Sequence, residues 1–199
     1  MAKTAIQILS TPQERALEAS RQVALVVGAS LVVALCARIT IPLMPLTPVP
    51  LTMQNFGVIL VGLMLGSRRG FAALALYLAE GAVGLPVFSV SSVGLHGLAQ
   101  ILGPTGGFLM AYPFVAFLAG YVFERGTKGF LRAAVAGFLA EILLFGGGLT
   151  WLYVYTHSLA KAAYLGLYWF LAAEVIKVML AAGIANRWRS AAVRNEVTR

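Results

Sequence analysis

The chain has 199 residues, of which 60% are hydrophobic and only 11% are charged, and its mean hydropathy is +0.86. A soluble domain carries roughly 25% charged residues, so an ordinary water-soluble fold is excluded. The net charge of +8 brings nucleic acid to mind, but the basic residues flank apolar runs, where they act as topology signals, and no nucleic-acid partner is expected.

The apolar runs have the length that crosses a bilayer core, about 20 residues. They predict an all-α integral membrane protein, a bundle of six transmembrane helices with structured outer loops. The opening segment, residues 1–21, has no apolar signal-peptide core of its own. It is expected to be cytoplasmic, with the run beginning at Val23 kept as a first span. The spans are predicted at about 22–40, 53–66, 71–85, 104–123, 131–153 and 163–186, forming one transmembrane domain over 22–186. A basic cytoplasmic tail, 187–199, follows. Cys36, the single cysteine, lies inside the first span and is expected to pack there.

Lysine and arginine set the orientation. With the N-terminus inside, the inner side receives Lys3, Arg15, Arg21, Arg68, Arg69, Arg125, Lys128, Arg132, Arg187, Arg189, Arg194 and Arg199, twelve of the fifteen basic residues. Only Arg38 and Lys161 fall outside, and Lys177 lies within the last span. The bias predicts an N-in, C-in arrangement.

Along the first span, Ala24 and Gly28, then Ser30 and Ala34, are small residues spaced for close helix–helix approach, against either an internal or an external partner. After it comes PLMPLTPVPLTMQNF, residues 42–56, in which four of the eight prolines fall between 42 and 50. Proline fixes φ and pushes its predecessor toward extended backbone, so a stiff, polyproline-like segment without a regular ladder is expected. Irregular backbone at membrane depth must be buried in protein or line a wet cavity. The strap is therefore either a rigid connector or one wall of a binding site, and it delivers Thr52, Gln54 and Asn55 to the second span.

The next outer loop is bracketed by GLPVF, residues 84–88, and GPTGG, residues 103–107. The second motif suits a helix start whose N-terminus can face an anionic group. Phe88, Trp151, Tyr153, Tyr164, Tyr168 and Trp169 gather near outer helix ends. Most are expected to be interfacial anchors, with one or two stacking on a ligand.

Ionisable residues at bilayer depth are costly and mark functional sites by default. Glu141 falls midway along the fifth span, and Glu174 and Lys177 midway along the sixth. The spacing of three puts Glu174 and Lys177 on one helix face. They form either a self-neutralised structural pair or a polar site for a ligand with a carboxylate and N–H donors. Glu141 is open between a helix–helix hydrogen bond and a ligand contact. GTKG at Gly126 has the wrong spacing for a phosphate loop, His96 and His157 are isolated, and the chain has no aspartate. No metal, cofactor or catalytic site is expected.

PVPLTMQNFGVILVGLMLG, GLPVF, GPTGGFL and the late ExxK resemble the biotin-specific substrate-binding component of energy-coupling-factor transporters, the BioY family, over roughly residues 22–190. The resemblance implies six helices in a prokaryotic cytoplasmic membrane, capture of biotin from outside, and docking on a transmembrane coupling protein driven by paired cytoplasmic ATPases. It implies ligand contacts from Thr52, Gln54, Asn55, Phe88, Glu174 and Lys177, and partner docking through Ala24, Gly28, Ser30 and Ala34. Where the family commonly has aspartate in the late pair, this chain has Glu174, one methylene longer. The competing readings are a self-sufficient proton-coupled carrier of a small carboxylate and a small intramembrane enzyme.

Overall fold

The computed structural model describes residues 12–126 and 129–197; Lys3, Lys128 and Arg199 of the charge argument lie outside them. Helix α1 (Pro12–Arg38) leads into two short strands, β1 (Thr40–Ile41) and β2 (Leu51–Thr52). Helices α2 (Gln54–Leu65) and α3 (Ser67–Ala82) follow, then a loop, α4 (Leu98–Leu102), α5 (Gly106–Glu124) and α6 (Phe130–Thr156). The chain ends with α7 (Leu159–Ala163), a π-helical turn (Tyr164–Tyr168) and α8 (Leu171–Val197).

Among the described residues, α1, α5 and α6 are each long and apolar enough to cross a membrane. The α7–π-turn limb and α8 meet at a 46° bend and make a fourth when counted as one span. Helix α2 is apolar but has only 12 residues, and α3 has 16. Helix α8 continues through Val197, past the expected end of the last span at 186 and into the segment read as the basic tail.

Helix α5 packs against α2, α3 and α6, while α8 lies against α2 and α6. The contact surfaces are built on alanine: Ala73, Ala116, Ala119, Ala133, Ala136, Ala140, Ala181 and Ala182 are all fully buried. In a membrane, lipid is as apolar as the helices, so association rests on such close van der Waals packing.

The two shorter helices are separated by a single residue, Gly66, at φ +86°. A side chain is strained at that φ, and a Cβ there would sit 1.9 Å from Glu124 Oε1. The Glu124 carboxylate accepts from the Ser67 backbone N–H at 3.1 Å and from its hydroxyl at 2.8 Å. It thus caps the start of α3 from the end of α5. This end of the bundle is basic. Arg68 and Arg69 are exposed beside the cap, Arg125 lies 3.9 Å over the Tyr121 ring, and Arg132 Nε donates to the Val122 carbonyl at 2.8 Å.

The proline strap occupies the opposite end and differs from the sequence expectation. It is a closed loop whose base is an antiparallel ladder, Thr40 opposite Thr52 and Ile41 opposite Leu51. Prolines leave β1 and β2 free to pair because all four lie between the strands, where no ladder N–H is needed. The loop turns through Leu43, whose carbonyl accepts from the Leu46 N–H at 2.8 Å.

Replacing Glu124 with alanine should remove the α3 cap and lower stability by about 1 kcal/mol. Thermal unfolding in detergent checks this, with ligand affinity expected to be unchanged.

Candidate functional site

A cavity lies between the strap and the bundle. Its floor is polar. Gln54 and Asn55 come from the first turn of α2, and Glu174 and Lys177 come from the start of α8. Glu174 is in the first turn after the bend, not midway along an unbroken helix as the sequence suggests. A helix N-terminus carries a partial positive charge that favours a carboxylate there.

Gln54, Asn55, Glu141, Glu174 and Lys177 are each no more than 6% exposed. Lys177 Nζ donates to Glu174 Oε1 at 2.7 Å and to Asn55 Oδ1 at 3.1 Å. Asn55 Nδ2 donates to Glu174 Oε2 and, at 3.2 Å, to Glu141 Oε1. The spacing of three residues in the sequence therefore does make Glu174 and Lys177 an ion pair.

Donor and acceptor capacity can now be counted. An ammonium has three N–H groups and a primary amide two, while each carboxylate oxygen has two lone pairs. Asn55 uses both N–H groups inside the cluster. Lys177 retains one N–H, and each Glu174 oxygen retains one lone pair. The floor can therefore donate once and accept twice toward a guest.

Gln54 faces a different network. Its Nε2 donates to the Tyr77 hydroxyl at 2.6 Å, which donates to the Val87 carbonyl at 2.8 Å. Thr52 Oγ1 accepts the Gln54 N–H at 3.2 Å, so the hydroxyl proton is left for the cavity that Thr52 lines.

The walls are apolar. Phe108, Leu109 and Tyr112 come from α5, Leu144 and Phe145 from α6, and Phe170 from the residue before α8. Phe108 and Phe145 meet edge to face with centroids 6.4 Å apart. Val49 and Pro50 of the strap complete the wall on one side, and Ser89 and Thr105 add polar groups. The strap is tied to the bend, since Thr47 is fully buried and its Oγ1 donates to the Leu165 carbonyl at 2.6 Å.

Several sequence assignments fall elsewhere. Phe88 does not line the cavity; it is buried edge to face on Tyr77, with centroids 5.4 Å apart, and packs over Gly81. The loop that carries it is held by Arg38, whose guanidinium donates to the Pro86 and Phe88 carbonyls. Tyr164, Tyr168 and Trp169 cluster with one another, and Trp151 Nε1 donates to the Gly103 carbonyl at 2.8 Å. None of the outer aromatics expected to stack on a ligand is in the wall. The aromatic wall was missed, although Phe108 and Tyr112 follow GPTGG at a spacing of four, on one helix face.

The small residues of α1 also separate. Ala24 and Gly28 are exposed and Ala34 is half-buried, but Ser30 is fully buried and its hydroxyl donates to Glu80. Ser30 therefore holds α1 to α3 and presents nothing to an outside partner.

The family model described as the BioY family matches residues 7–194, which takes in every residue of the floor and walls. The chain belongs to the BioY family. Relatives include a probable biotin transporter BioY of Pyrococcus horikoshii, 41% identical over 140 residues that cover 70% of this chain and 80% of that protein. A biotin transporter BioY of Rhizobium etli is 38% identical over 144 residues, 68% of this chain and 75% of that one. Among solved structures, the S-component for biotin from an ECF-type ABC transporter superposes with a TM-score of 0.77 at 24% identity, covering 91% of this chain and 95% of that chain. That likeness establishes that this BioY-family member has the S-component fold.

Lys177→Met alone should leave Glu174 charged and unpaired in a dry site, lowering stability by roughly 3–5 kcal/mol. Adding Glu174→Leu should recover part of the loss. Denaturation in detergent of the single and double variants, without ligand, measures both effects.

Proposed function

We propose that this BioY-family chain is the biotin-capturing component of a vitamin-uptake transporter, binding biotin at the strap end of the bundle. The relatives named as biotin transporters and the S-component fold support this reading. The observation that carries it is the free bonding capacity of the floor. A cyclic urea has two N–H donors and one carbonyl acceptor. The N–H groups diverge on either side of the carbonyl, so one meets an open Glu174 lone pair, the carbonyl meets the open Lys177 N–H, and the second N–H is left to a hydroxyl acceptor such as Thr52 Oγ1.

The ureido ring meets Glu174 and Lys177, with Thr52 beside it, while the apolar bicycle packs against Phe108, Tyr112, Phe145 and Phe170. The valerate tail then runs toward the mouth, where its carboxylate meets Ser89, Thr105 and the positive end of α5. This orientation pairs the donor-rich end of the ligand with the protein's carboxylate. It also keeps the ligand's own carboxylate away from Glu174. Neither a proton-driven carrier nor an enzyme is favoured, because the family and fold are those of transporter components.

Six membrane crossings, N-in and C-in, complete the proposal. The shorter α2 and α3 cross within a bundle that shields their ends, and the basic end faces the cytoplasm of a prokaryote. Energy then comes from a transmembrane coupling protein with cytoplasmic ATPase subunits docked from that side. Ala24 and Gly28 are the small residues of α1 left open to such a partner.

Titration of the purified protein with labelled biotin tests the capture reading. Glu174→Ala and Lys177→Ala should each weaken binding by at least roughly tenfold, the scale of losing a charged hydrogen bond. Wild-type affinity in both variants would make the pair purely structural.

Orientation is read separately, in a Cys36→Ser background. A cysteine at Val93, which is 45% exposed, should react with an impermeant thiol reagent added outside. One at Arg69 should react only from the cytoplasmic side. The reverse pattern would invert the topology and move the site to the wrong face.

A further inference from the structure

We propose that Glu141 is a positioning residue for ligand capture, acting through Asn55 to keep Glu174 open to the guest. The proposal builds on the biotin-capture reading. Glu141 does not line the cavity. It is 5% exposed on α6 and lies close enough to Glu174 to interact with it; its Oε1 accepts from Asn55 Nδ2 at 3.2 Å, and its Oε2 has no hydrogen-bond partner among the described residues. A buried carboxyl group with one of its two oxygens unmet is a poor structural bolt, since an unmet buried polar atom is destabilising. Its placement makes sense through what it withholds from Glu174.

Asn55 Nδ2 has two hydrogens, and two carboxylates compete for them. With Glu141 present, one hydrogen goes to Glu141 and one to Glu174, while Asn55 Oδ1 turns to Lys177. With that acceptor gone, the freed N–H has Glu174 as its nearest carboxylate. Asn55 would then occupy a further Glu174 lone pair and leave fewer acceptors open to the ligand's N–H. Glu141 thus sets how many acceptors the floor offers, without touching the ligand.

The discriminating variants are Glu141→Gln, which retains an oxygen to accept the Asn55 N–H, and Glu141→Met, which keeps the length and loses the acceptor. Biotin affinity would be measured for both, for Asn55→Ala, and for the Glu141→Met/Asn55→Ala double variant. Glu141→Met should bind roughly tenfold more weakly, and Glu141→Gln should stay within about threefold of wild type. In the Asn55→Ala background, Glu141→Met should add less than about twofold, since there is no N–H left to redirect. A Glu141→Gln variant as weak as Glu141→Met, a Glu141→Met variant that binds like wild type, or fully additive losses would each overturn the proposal.

Where Glu141→Met does not yield folded protein, Glu141→Ala takes its place in the same cycle. A double-mutant cycle on thermal unfolding of the ligand-free protein reads the Glu141–Asn55 contact independently. Absence of coupling there overturns the positioning role, whereas failure of the wild-type protein to bind biotin overturns only the capture reading.

Discussion

The structure is organised around an ion pair that has been taken out of water. Lys177 and Glu174 sit 2.7 Å apart with side chains only 6% and 8% exposed. Removing two charges from solvent costs several kcal/mol per ion, and mutual attraction offsets this only when further hydrogen bonds satisfy both partners. Asn55 supplies those bonds from α2, and Glu141 extends them to α6. Three helices must therefore converge on one point. The approach of α6 to α8 depends on Gly137, one turn before Glu141, where a Cβ would lie 2.7 Å from Val178 Cγ1. The electrostatic requirement and the close packing are thus two sides of one constraint.

The same constraint gives the bend between α7 and α8 its purpose. A continuous helix would bury Glu174 in mid-helix, with every neighbouring backbone N–H already used. The break puts it in the first turn of α8, where the helix dipole favours the carboxylate. A π-helical segment marks the distortion, as such segments often do at functional sites. The strap is fastened to that distortion through Thr47 and the Leu165 carbonyl. Cavity wall and charged floor are consequently referenced to the same short stretch of backbone, which fixes their spacing better than either could alone.

Much of the polar site was legible because membrane depth makes polar residues conspicuous. Glu174 and Lys177 at a spacing of three, and Thr52, Gln54 and Asn55 after the strap, stand out against apolar surroundings, and all five line the cavity. The apolar wall was not legible for the converse reason. Phe108, Phe145 and Phe170 are chemically like the residues that face lipid, and only tertiary packing tells them apart. Phe88 shows the same ambiguity with the opposite outcome, since its place in a distinctive loop motif marks a packing role beneath the loop. The strap ladder was invisible because two-residue strands carry no periodicity. Ser30 was misplaced because a small residue is equally suited to an outside partner and to a neighbouring helix such as α3.

The division of labour within the cavity follows from what each kind of contact can discriminate. An apolar wall distinguishes ligands poorly, because one methylene more or less changes binding by only about 1–3 kcal/mol. A buried group with open hydrogen-bonding capacity discriminates far more, since a guest lacking the matching atom leaves that group unpaired. In this chain the open capacity is concentrated on Glu174 and Lys177, whose other bonds already hold them in place. Little side-chain order remains to be imposed when the guest arrives, which is the condition for tight binding from a small contact area. The aromatic wall then supplies apolar contact area, and the floor supplies identity. On the proposed capture reading, specificity would rest on keeping Asn55 committed to its neighbours, and a residue outside the cavity would take part in recognition.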